Sequence, residues 1–149
     1  MKVSDLINFM AFSHRQEDGI SVGIAVVAGV AYMATGFVRD GDSFHRKLSH
    51  RVLAQRIIST IDGNDHVRFV QVAEHLPEKV DARALVREFR KLFKPNPECN
   101  DGLFSEEDRP NAFFKALMVR QPMPRDEAWK KISGMFDKAV EAASAQAVA

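Results

Sequence analysis

Cysteine is almost absent from this chain: Cys99 stands alone among 149 residues. No intramolecular disulfide can form, no zinc pattern can be completed from thiolates, and a reducing compartment is the expected setting. Charge of one sign is also missing. Twenty-one Lys and Arg against 20 Asp and Glu leave a net charge of +1, which excludes nucleic-acid binding by overall charge and confines any basic site to a local cluster. The N-terminus lacks the basic, apolar and small-residue order of a secretion signal, so a cytoplasmic protein is expected. Gly19, Gly23 and Gly29 carry neither the spacing nor the following Lys-Ser or Lys-Thr of a phosphate loop. There is no internal repeat and no low-complexity tract.

Hydrophobic residues at 46% and charged residues at 28% are ordinary globular usage, and the length suits one domain with a real core. A single domain over 1–149 is expected. From 19 to 38 the chain has no charged side chain, and about 20 apolar residues suffice to span a bilayer. Two features favour a buried β-hairpin over a membrane helix. The stretch is built of Gly, Ala, Ser, Thr and Val, whose transfer energy is weak. Its β-branched residues also alternate, as Ile20, Val22, Ile24, Val26 and then Val30, Tyr32, Ala34, with Gly29 at the turn between. A small lysis protein spanning 19–38 is the weaker alternative; no membrane partner is expected.

Ser4 or Asp5 can cap a short helix carrying Leu6, Ile7, Met10 and Ala11, ending between His14 and Asp18. After the turn at 39–42, Asp42 or Ser43 can cap a second helix reaching about Thr60, with Phe44, Leu48, Val52, Ile57 and Ile61 as its apolar face. Val67 to Val72 reads as a third strand paired with the hairpin. Asp81 caps an amphipathic helix through Lys94, with Leu85, Val86, Phe89, Leu92 and Phe93 inward and Arg83, Arg87, Arg90 and Lys91 outward. The segment 95–110, with three prolines and the acids Glu106, Glu107 and Asp108, is a long loop. Two further helices are expected near 111–120 and 125–145, the second burying Trp129, Ile132, Phe136 and Val140, followed by a frayed tail over 142–149. Strands followed by helices give an α+β class: a helix, an antiparallel hairpin plus a third strand, and helices packed on the sheet.

Chemistry concentrates in one place. Between Phe44 and Arg56 lie His45, Arg46, Lys47, His50, Arg51 and Arg56. On a helix Arg46 and His50 are four apart, as are Lys47 and Arg51, so neighbouring turns present them together, and like charges so placed repel unless an anion bridges them. Arg holds phosphate oxygens in a bidentate fork while Lys acts as a point charge. The bland alternative is a solvated face whose cations meet Asp or Glu from elsewhere in the fold. His45 and His50 stand about 140° apart around a helix, a poor pair of metal ligands, and His14, His66 and His75 add no recognisable spacing. Neither metal nor cofactor is expected, and no carboxylate pair or nucleophile is singled out, so no catalytic residue is assigned. Phe89, Phe93 and Phe136 fall at inward helical positions, so core packing is the better account of them; Phe104, Phe113 and Phe114 do not, and mark a candidate partner interface.

The hairpin strand followed by Asp42-x-Phe44-x-Arg46-Lys47-x-Ser49, with Ala54 and Arg56 beyond, resembles a pattern in small bacteriophage proteins. The likeness covers about thirty residues, 30–58. Members usually carry Gly-Arg where this chain has Ser49-His50. The resemblance implies a viral or prophage origin, action in the host cell and a binding role rather than a reaction, such as counter-defence by sequestering a nucleotide or by docking on a host protein. Together these readings give a non-enzymatic binding protein whose Arg46, Lys47, His50, Arg51 and Arg56 hold the phosphates of a nucleotide or nucleic acid. The alternative is an inhibitor of a host protein acting through 95–114. A homo-oligomer is expected from the Gly/Ala-rich hairpin, the Phe113-Phe114 pair and the amphipathic C-terminal helix.

Overall fold

The uncharged stretch folds as the expected β-hairpin. In the computed structural model, which describes residues 1–15, 20–37, 46–64, 67–93 and 125–148, β2 (Ile20–Val27) and β3 (Val30–Phe37) pair antiparallel with Ile24 opposite Met33 and Val27 opposite Val30. Ala28 and Gly29 form the two-residue turn, both at positive φ, 52° and 77°. Such a turn matches the twist of the strands, and Gly29 takes the left-handed conformation without a Cβ penalty. Its carbonyl accepts a hydrogen bond from the Leu76 N–H at 3.0 Å, which ties the turn to the segment leading into α3 (Ala82–Phe93). Among the described residues no helix is long and apolar enough to cross a membrane.

The two faces of the hairpin differ in side-chain size, and that difference places the helices. Ile20, Val22, Ile24, Ala31 and Met33 bury one face in a core with Leu85 and Phe89 of α3 and with Ile132 and Phe136 of α4 (Arg125–Val148). Ser21, Gly23, Ala25, Ala34 and Gly36 make the opposite face shallow. Against it lie Leu6 of α1 (Val3–Ile7) and Leu53, Ala54, Ile57 and Ile58 of α2 (Arg46–Ile61). A Cβ on Gly36 would meet Leu53 Cδ2 at 3.5 Å, so α2 rests close on the sheet. The remaining strands are β1 (Met10–Arg15) and β4 (Val70–Ala73), and the four-stranded sheet runs β1-β2-β3-β4, antiparallel throughout. The class is α+β, with helices packed on the sheet as expected.

Four expectations need correction. The first helix ends at Ile7, and Met10 to Arg15 form an edge strand instead. Leu6, Ile7, Met10 and Ala11 fit a helical period, but Met10, Phe12 and His14 also alternate with Ala11, Ser13 and Arg15, and pairing with β2 decides between the two. Second, the buried face of α2 is Leu53, Ala54, Ile57 and Ile58, whereas Leu48 and Val52 are 59% and 38% exposed. Nine positions separate Leu48 from Ile57, which is ~180° around a helix, so they cannot share a face. Third, β2 and β3 are both interior, so the hairpin offers no free edge for pairing between subunits; the edges are β1 and β4. Fourth, α4 continues to Val148 with Ala143 buried, where fraying from Ala142 was expected.

Elsewhere the agreement is closer. The Asp81 carboxylate caps α3 by accepting the Ala84 N–H at 2.8 Å. Leu85, Val86, Phe89 and Phe93 of that helix are buried, Leu92 is not, and Arg83, Arg87, Arg90 and Lys91 face outward. Ile132 and Phe136 of α4 are fully buried, Trp129 and Val140 half-buried. The third strand pairs with β3 but sits slightly later, at Val70–Ala73. The start of the second helix with His45 and Phe44, the 95–110 loop with Cys99 and Phe104, and the 111–120 helix with Phe113 and Phe114 lie outside the described residues.

Candidate functional site

The sheet-facing side of α2 changes character along its length. Stepping back from Ile57 by seven and eleven residues returns within about 20° of the same direction, at His50 and Arg46. The face that is apolar over the middle of the sheet is therefore imidazole and guanidinium at the N-terminal end of the helix. Beneath that end lies β1, whose Met10, Phe12 and His14 stand over Ala25, Gly23 and Ser21 of β2. Gly23 makes the room, since a Cβ there would come within 2.7 Å of Met10 Cε and 3.1 Å of the Phe12 ring.

Here the structure joins two histidines 36 positions apart in the chain. His14 Nε2 lies 2.9 Å from His50 Nε2, and His14 Nδ1 lies 2.9 Å from Ser21 Oγ. The Phe12 ring stacks on His50 with centroids 3.7 Å apart and an interplanar angle of 17°. Two ring nitrogens at this distance share one proton, so one imidazole donates and the other accepts. Burial lowers the His14 pKa to about 4, helped by the charges of His50, Arg46 and Arg90. Burial and Arg46 lower His50 in the same direction. The pair is thus neutral at pH 7 within a positive field.

Arg90 reaches the same place from the opposite side of the sheet. Its Nη2 donates to the Phe12 carbonyl at 2.7 Å on the edge strand. Arg46 from α2 and Arg90 from α3 therefore bear together on His14. Neither His14 nor Arg90 was singled out as a site residue from the sequence, because the first was assigned to a helix and the second to a solvated face.

The five sequence-predicted residues divide into two groups. Arg46 and Lys47 are exposed at the head of α2, with His50 half-buried beside them. Arg51 and Arg56 line a separate groove of about 880 Å³ between α1 and α2, with Val3, Ile7 and Val52 among its walls. Ten residues separate Arg46 from Arg56, roughly 15 Å along the helix. Arg56 is also committed: half-buried, it donates through Nη1 to the Thr35 carbonyl, and burial, then Arg125, lowers its pKa. The structure thus sets Arg56 apart from Arg46, at the other end of the helix and hydrogen-bonded to the sheet. Among the described residues, Arg46, Lys47 and Arg51 have no carboxylate partner.

Two chemistries fit this arrangement poorly. Ser21, hydrogen-bonded to His14, resembles a nucleophile with its base, but it is 1% exposed and beyond the reach of a substrate. Two imidazole nitrogens could ligate a metal, yet among the described residues no third His, Cys, Asp or Glu joins them, and Arg46 and Arg90 repel a cation. An anion meets the opposite conditions. No family model matches the chain, and neither the curated proteins nor the solved structures offer a match.

Proposed function

We propose that this chain is a non-enzymatic binding protein that holds phosphate groups of a nucleotide or nucleic acid at the head of α2. Arg46 and Lys47 supply the charge, and His50 supplies a neutral, oriented N–H. The observation that carries the reading is the hydrogen-bonded chain from Ser21 through His14 to His50 beside Arg46. With the Ser21 hydroxyl donating to His14 Nδ1, the His14 Nε2–H donates to His50 Nε2, which leaves the His50 Nδ1–H for an acceptor oxygen. Stacking on Phe12 holds that ring in place. The absence of carboxylate partners for Lys47 and Arg51 among the described residues adds support, since like charges four apart on a helix repel and an anion relieves them. The resemblance of 30–58 to small phage proteins fits a counter-defence role for such binding.

The test is isothermal titration of the purified protein with nucleoside phosphates and inorganic phosphate, alongside native mass spectrometry for nucleotide retained from the cell. Charge reversal by Arg46→Glu and Lys47→Glu should abolish binding without unfolding the protein. Unchanged affinity in that double variant refutes the assignment.

A further inference from the structure

A second basic surface adjoins the first around the sheet edge. Arg83, Arg87, Arg90 and Lys91 of α3 line a groove of about 630 Å³ against Ala11 and Phe12 of β1. Lys91 is neutralised by Glu88 at 3.0 Å, and Glu88 is further held by Gln146. Arg83 and Arg87 are exposed and, among the described residues, make no close ion pair, although Glu88 lies within electrostatic reach of Arg87. Arg90 is anchored on the Phe12 carbonyl and connects this groove to His14. Because β1 is an edge strand with α2 on one face and α3 on the other, cations from both faces converge on one margin of a protein whose net charge is only +1.

We propose that a single-stranded nucleic acid binds across this margin, its phosphates running from Arg46 and Lys47 past the β1 edge, where Arg90 adds positive field, to Arg87 and Arg83. The inference rests on the phosphate reading of the α2 head and names its ligand as a polymer. Extent argues for a polymer: α2 and α3 pack on opposite faces of the sheet, so the adjacent phosphates of one mononucleotide cannot reach both cationic groups. Curvature argues for a single strand. A ligand touching both faces must bend around the edge, and a duplex with a persistence length of ~150 base pairs resists that.

Fluorescence anisotropy of a 5′-labelled twenty-residue oligothymidylate, over a series of salt concentrations, tests the path. Each phosphate neutralised, with release of its counterion, should contribute about −0.7 to the slope of log K against log salt. The Arg83→Gln/Arg87→Gln double variant should therefore lose about 1.4 from the slope and roughly 25-fold in affinity at 0.1 M salt. Binding of ADP, measured in parallel, should be unchanged in that variant and lost in Arg46→Gln/Lys47→Gln. A wild-type slope in Arg83→Gln/Arg87→Gln, or tighter binding of the corresponding duplex, overturns the inference. If ADP binding still depends on Arg46 and Lys47, the α2 reading survives that result; if neither ligand responds to Arg46→Gln/Lys47→Gln, both fall.

Discussion

His14 and His50 face each other through their Nε2 atoms at 2.9 Å, one on an edge strand and the other on a helix lying across it. Both can be protonated only if the rings separate, because two N–H groups would then point into one gap. This contact makes the packing of α2 on β1 sensitive to acid.

The sign follows from the lowered pKa values. The His14 pKa falls from 6.5 to about 4, so the folded protein binds fewer protons than the unfolded chain between those limits. Stability from this group is fully present above about 6.5, declines as pH drops and is gone below about 4. Urea unfolding at several pH values should show the decline. In His14→Asn the part of it due to this group should vanish, and an identical pH profile in the variant would refute the role given to the dyad. NMR of the imidazole protons should place the His14 midpoint well below the ordinary imidazole value of 6.5.

Gly23 is the position that lets Phe12 lie against His50. Gly23→Val is expected to cost about 1–3 kcal/mol by overpacking, because its methyls collide with the Phe12 ring even where Met10 can move aside. Denaturant titration reads the stability. The upfield ring-current shift of His50 should diminish in the same variant, and its persistence would show that Phe12 finds its place without the glycine.

The face of α2 is tested by paired truncations. Leu53→Ala, at a fully buried site, should destabilise by about 2–5 kcal/mol, while Leu48→Ala, on the exposed side, should stay within about 0.5 kcal/mol of wild type. Equal losses at both positions would mean that Leu48 is covered in solution, as by a second copy of the chain, and analytical ultracentrifugation would then report the subunit number.

How much of this could be read from the residues alone depended on whether a signal was local. The hairpin was legible because Ile20 to Val26 and Val30 to Ala34 alternate strictly around Gly29, and α3 because Asp81 opens a stripe of Leu85, Phe89 and Phe93. Edge strand β1 was not, since Leu6 to Ala11 satisfies a helical period and only pairing with β2 settles the matter. The cationic cluster was found, but its division into a head at Arg46 and a committed Arg56 depends on where β3 ends. The angular relation of Arg46, His50 and Ile57 was available without a structure. Hydrophobicity alone points to Leu48 and Val52, whereas direction around the helix points to Arg46 and His50. The meeting of His14 with His50 had no sequence signal, because it arises only when β1 and α2 stack.

Arg46 and Arg56 should separate binding from stability. Arg56 spends its guanidinium on the Thr35 carbonyl beside the glycine at 36, in a half-buried position. Arg56→Ala removes a charge-assisted donor and leaves that carbonyl wanting, a loss of about 1–3 kcal/mol. Phosphate binding at the head of the helix, roughly 15 Å away along the axis, should be untouched. Arg46→Ala should do the reverse: an exposed side chain without a carboxylate partner among the described residues contributes little to folding, yet its loss should weaken phosphate binding and allow the His14 midpoint to rise. Thermal unfolding and phosphate titration on the two single variants provide the comparison. If Arg56→Ala weakened binding as much as Arg46→Ala while the fold held, the ligand would have to span the groove beside α1, and the site would belong to the whole length of α2 rather than to its head.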